Sequence, residues 1–471
     1  MARPVCKRRF NRLCLVLLLA ICFGPIHAAT YQVGPARSFT TLDALFSAID
    51  LEPGDVVEVD GGSTYPGGII MRAADGGAVG NPVVLRGVKQ GGQRPIIQGG
   101  VNSIEFRLVE NVVFESFEII GTTTPTRTFR CLYHHGHNLV VRDAKIHGCP
   151  DHGVLGADQD SGSLTIEYSE IYDAGSGDRN HVIYMATDEV AYPGAVFRLQ
   201  HSYVHSANGG NLIKSRAERN EIYHNWLEGG FFHELELIGP DPGGARSGWS
   251  EALAREDSDV VGNVILHTSS FGAIIRLGGD GTGQSQGRYR FVNNSIVRLG
   301  GNNDTPTVFR LFDGLESVQM FNNLIYRDGS TAVRLIREVE AVWVGGVSRI
   351  TGANNQYEPG SSFVPPGWSS SLVSDSIGLL DIANKQFRLQ AGSPLRDAGT
   401  AATQHVPYAF PSPLGLPTHE PRGALQTVGS AGLRQSSGAA IDIGAFEFID
   451  PQRIFRDGFE SVSGAGALAK P

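Results

Sequence analysis

SDVVGNVI (258–265), YRFVNNSI (289–296) and VQMFNNLI (318–325) are three copies of one unit. In each, the third residue is apolar (Val260, Phe291, Met320), the sixth is asparagine (Asn263, Asn294, Asn323) and the eighth is isoleucine (Ile265, Ile296, Ile325). Toward the N-terminus the same frame fits, without gaps, NEIYHNWL from Asn220, FRLQHSYV from Phe197, LTIEYSEI from Leu164, LVVRDAKI from Leu139 and VVFESFEI from Val112. The third position stays apolar and the eighth aliphatic throughout, while the sixth is asparagine from Asn225 onward. Successive starts lie 27, 25, 33, 23, 38, 31 and 29 residues apart.

A unit that recurs every 20–50 residues or so with variable insertions cannot bury its apolar face alone, and so marks a solenoid. Each unit reads strand–bend–strand, with a further strand some residues later, which differs from the four-stranded blade of a propeller. No LxxLxL pattern of a leucine-rich repeat is present. The expected fold is therefore all-β, a right-handed parallel β-helix solenoid. Asparagine in the sixth column suits a bend, because it tolerates left-handed backbone and can bond to the amide of the next coil. Such a ladder resembles those of pectate-lyase-like β-helices.

The flanks agree. TLDALFSAID (41–50) sets Leu42, Leu45, Phe46 and Ile49 on one helical face, with Thr40 or Thr41 as N-cap, and predicts a short helix capping the first coil. The expected organisation is a signal peptide (1–28), a cap with the first coils (29–110), the β-helix core (111–345), irregular coils and loops (346–448) and a tail (449–471). The opening stretch 31–69 and the closing "AIDIGAFEF" (440–448) resemble the ends of secreted bacterial β-helix proteins.

Arg3, Lys7, Arg8, Arg9 and Arg12 precede an apolar run from Leu13 to Phe23, and Ala28 or Ala29 offers a small residue for cleavage. This reads as a secretory leader, so the expected location is secreted or periplasmic. Of the 39 basic residues the leader holds five, leaving 34 against 48 acidic, a net charge near −14. That balance argues against nucleic acid as a partner. No membrane span and a monomer are expected. Two cysteines remain beyond the leader, Cys131 and Cys149, readable as a disulfide in an oxidising compartment or as two buried thiols on neighbouring coils.

Chemistry is expected on one outward ladder. The residue flanked by inward apolar neighbours in the later strand of each unit is Tyr184, Lys214, Glu236, Arg276, Arg310 and Arg334. Cations spaced coil by coil suit a polyanion, so an acidic polysaccharide is the expected partner, with Tyr184, Arg310 and Arg334 in binding. The stretch 178–238 resembles a group of secreted bacterial β-helix proteins. Within it KSRAERN (214–220) is similar to polysaccharide lyases of family six, the alginate lyase and chondroitinase B group. That resemblance implies β-elimination at a uronate, with Lys214 as base. Where the family has an arginine one coil later, this chain has His233-Glu234-Leu235-Glu236. Elimination needs a base, neutralisation of the carboxylate and a proton for the leaving oxygen. Lys214 fits the first role, Arg216 or Arg276 the second, and His181 or His233 the third. Glu234 and Glu236 are candidate calcium ligands, calcium or no cofactor being the expectation. A non-catalytic glycan-binding or surface protein and a glycoside hydrolase are the alternatives.

Overall fold

The structure, a computed structural model, describes residues 28–253, 255–279, 284–300, 306–329 and 332–450. The expected leader and tail lie outside these residues except at their inner edges.

Parallel strands wind in chain order into three faces. The first face runs from Thr30–Val33 and Val56–Asp60 through Ile350–Ala353 to Trp368–Ser369. The second is a 12-stranded sheet from Thr64–Pro66 to Leu372–Val373. The third extends from Ile69–Arg72 to Arg334–Glu338. Two long strands, Asn102–Glu115 and Arg130–Arg142, turn the corner from third face to first and join those faces into one sheet. This sequential parallel order is that of a right-handed β-helix.

The columns of the repeat stack in register. Phe114, Val141, Ile166, Leu199, Ile222, Val260, Phe291 and Met320 pair one above the next. So do Ile119, Ile146, Ile171, Val204, Leu227, Ile265, Ile296 and Ile325 on the second face. All are buried, so each coil closes its apolar interior against its neighbours.

The asparagine column performs one of its two expected roles. Oδ1 of Asn263 accepts from the backbone N of Asn225 (2.8 Å) and from its Nδ2 (3.0 Å), and the pattern repeats through Asn294, Asn323 and Asn355. Each Nδ2 also donates to a third-column carbonyl, as Asn263 does to Ile222 (2.8 Å). The left-handed residue of the bend, however, is the fifth: His201, His224, Gly262, Asn293 and Asn322 have φ between 52° and 71°. The sixth residue spends its amide on the ladder, and the fifth makes the turn.

The N-terminal helix is Leu42–Phe46, shorter than expected, with Thr41 Oγ1 accepting from Ala44 N (3.2 Å). Cys131 and Cys149 form a disulfide, Cα atoms 6.0 Å apart. The C-terminal residues expected to be irregular build a second core. Ile377, Phe387, Leu389, Leu395, Ile443 and Phe446 pack on Trp226, Val264, Leu266, Val297 and Leu324, which point outward from the second face. On the first face, buried Arg290 pairs with Asp259 (2.5 Å) and donates to the carbonyls of Thr403, Leu414 and Gly415. The C-terminal segment thus covers outward positions on two faces, and the expected ladder sits on the third.

Candidate functional site: a charged ladder on the third face

Successive strands place Tyr184 beside Lys214, Lys214 beside Glu236, Glu236 beside Arg276 and Arg276 beside Arg310. The expected sixth member is displaced. Phe309 pairs with Ile336, so Arg337 follows Arg310 while Arg334 pairs with Thr307 and stacks on Phe363 (3.9 Å). Local alternation misassigned this strand because Val333, Leu335 and Ile336 are all buried.

Glu236 is the centre. Its Oε1 meets Arg276 Nη1 at 2.8 Å, its Oε2 lies 3.6 Å from Lys214 Nζ, and Asn211 Nδ2 donates to the same oxygen. Lys214 Nζ stands 5.4 Å from the Tyr184 ring centre, and Arg276 lies over Phe312 at 4.0 Å. Beyond Arg276, Arg310 also faces Phe312 (5.1 Å), and its buried Nε has no hydrogen-bond partner. Burial and the adjoining Arg337 and Arg276 guanidiniums push Arg310 below the usual arginine range.

Asn211, which sequence reasoning missed, ties the ladder to the turn before it. Its N donates to His181 Nδ1 (2.9 Å), and its Oδ1 accepts from His233 N (3.0 Å) and contacts His233 Nδ1 (3.1 Å). Its position ahead of the strand, outside the alternating pattern, hid it. His152, also missed, accepts from the backbone N of His181 (3.1 Å).

Five of the expected site residues are buried: His181, His233, Arg216, Glu234 and Glu236. His181 and His233 are buried, and burial, with nearby cations, holds their titration well below the usual value. Both rings lie beneath the face rather than on it, where the expected acid would have to reach the leaving oxygen. Arg216 is buried under the face rather than presented on it. It donates to Tyr184 Oη (3.1 Å) and Gly239 O (2.5 Å) and offsets the buried acids Asp158 and Glu256. Glu234 is fully buried, with Oε2 2.5 Å from His267 Nδ1 and Oε1 accepting from Gly230 N. With Glu234 so occupied and Glu236 surrounded by a lysine, an arginine and an amide, the calcium expectation gains no support from this geometry. Among the described residues, the group of three ligands close enough for a metal is His201, His224 and His419, away from the ladder.

Tyr184 stands beside Lys214 on the same face. Burial pushes its hydroxyl up to about 12. Because Oη accepts from Arg216 Nε, its own proton stays available to another acceptor. A cavity of about 630 Å³ lies elsewhere, between the second face and the C-terminal segment. Four of its five charged lining residues are paired with each other, Lys385 with Glu228 and Arg388 with Glu420, Arg422 being the fifth, so we favour the open ladder as the site.

No protein family and no curated protein matches this chain. Among solved structures, it is similar to a pectate lyase at 11% identity, with a TM-score of 0.44, covering 90% of this chain and 97% of that one. It is also similar to an alginate lyase from Paenibacillus sp. at 15% identity, with a TM-score of 0.39, covering 72% and 99%. A PL6 family polysaccharide lyase from Pseudopedobacter saltans shows 11% identity and a TM-score of 0.44, covering 78% and 97%. At these values the likeness carries no functional argument.

Proposed function

We propose that the third face binds an acidic polysaccharide and cleaves it by β-elimination. The observation that carries this reading is the stack of Arg276, Arg310 and Arg337 on successive coils, with Glu236 the carboxylate at one end. Crowded guanidiniums at the spacing of stacked strands suit an anion repeated along a chain, and arginine binds carboxylates in bidentate fashion. In the reaction, Lys214 takes the C5 proton of a uronate. The released electron pair forms the C4–C5 double bond, the C4–oxygen bond breaks, and Tyr184 protonates the leaving oxygen. Arg276 neutralises the substrate carboxylate. The Cys131–Cys149 disulfide supports action in an oxidising compartment, as the leader-like N-terminus does.

A second reading, binding without cleavage, is favoured by the Lys214–Glu236 ion pair, since a base must be uncharged. Incubation with alginate, pectate and chondroitin, with and without a chelator, separates the two. Elimination leaves an unsaturated sugar that absorbs in the near ultraviolet, and Lys214→Ala abolishes the signal while leaving folding intact. Reducing ends without absorbance would identify a hydrolase. Neither product, with retained binding, would leave the second reading.

A further inference from the structure

The bends between first and second faces carry a cluster that the ladder does not use. The fifth residue of the unit is His201 in one coil and His224 in the next, and their rings stack with centroids 5.2 Å apart. The C-terminal segment lays His419 over the pair, its ring 4.7 Å from His201 and 5.4 Å from His224. One ring nitrogen from each of the three lies within 4.8 Å of the others. His201 and His224 are buried, and Nδ1 of each has no hydrogen-bond partner.

We propose that His201, His224 and His419 bind a divalent transition-metal ion of the zinc class, which pins the C-terminal segment to the solenoid. Neutral imidazole is the form that ligates. An imidazole is largely in that form at neutral pH. Three imidazoles with a water in the fourth position suit Zn²⁺, and suit Cu²⁺ or Ni²⁺ by donor type. Ca²⁺ and Mg²⁺ seek oxygen and find none in this donor set. His224 Nε2 accepts from Thr418 N at 3.1 Å. Ligation through Nε2 uses that lone pair, and ligation through Nδ1 puts a proton on Nε2, so either route breaks the Thr418 bond. Metal binding therefore shifts residue 418, next to its own ligand His419. The site is independent of the polysaccharide reading, and its test needs no substrate.

Untagged, chelator-treated full chain is titrated with Zn²⁺ by calorimetry and with Co²⁺ by visible absorption. One equivalent of Zn²⁺ is expected, with the intense bands of tetrahedral Co²⁺ displaced by zinc. A rise of at least about 3 °C in apparent melting temperature is expected at a hundredfold excess over Kd. His419→Ala lies on the covering segment, outside the coils, and His201→Gln keeps a side chain of similar reach in the bend. Each should weaken binding by at least the roughly 10–100-fold that loss of an outer-shell partner costs. Absence of binding by the unaltered chain, or unchanged affinity in a folded His419→Ala variant, overturns the proposal.

Discussion

At the scale of single residues, position in the coil decides what a side chain contributes. Asn263 has no exposed surface, accepts two hydrogen bonds from Asn225 and donates to Ile222 O and Asn294 Oδ1. Asn263→Ala leaves several buried polar groups without partners, at about 1–3 kcal/mol each before relaxation. We expect a loss of about 2–4 kcal/mol in chemical denaturation, and a loss below about 1 kcal/mol would contradict the ladder's role. Glu189 tests the buried acids beside Arg216. Burial, followed by the like charges of Glu218 and Asp188, raises it from 4.5 to about 7. The native state therefore holds this proton longer than the unfolded chain does. The stabilisation is complete below the unfolded value and is lost as pH rises through 7. Glu189→Gln should grow more stable relative to the parent between pH 4.5 and 7.5, by on the order of 2–3 kcal/mol. Melting curves across that range check it, and a constant difference would refute it.

At the scale of elements, the strands of the repeat were legible because stacked coils impose one apolar pattern many times. The third and eighth columns follow from alternation alone, and their in-register pairing is its consequence. The fifth column was not legible as the turn-former, since Tyr168, His201, His224 and Asn293 share no chemistry, only a backbone angle. Arg334 was misplaced for a related reason: pairing, not the local pattern, sets register when consecutive residues are buried. The cysteine pair joins one corner-turning strand to the strand that follows, Lys145–Cys149, and closes 18 residues. Cys131→Ala with Cys149→Ala should cost about 3 kcal/mol by loop-closure entropy. Equilibrium unfolding of the double variant measures this directly, and an unchanged midpoint would contradict it.

For the whole molecule, the C-terminal segment decides which surface remains for function. Its residues have no period, so sequence gave no sign that Phe387 and Phe446 would cover the second face or that Arg290 would anchor 403–415 on the first. The ladder from Tyr184 to Arg310 was legible because it repeats with the coil. The supporting roles of Asn211, His152 and Arg216 were not, because burial and turn geometry arise from neighbours far along the chain. The proposed function requires that the arginine stack of the third face bind an acidic polysaccharide. It is tested most directly by electrophoresis of the full chain through gels containing a polyuronate, comparing the parent with Arg276→Gln/Arg310→Gln. The parent is expected to be retarded, less so at high salt, and the double variant to migrate as it does in a gel without polymer. Equal retardation of both proteins, or none of the parent, would contradict it.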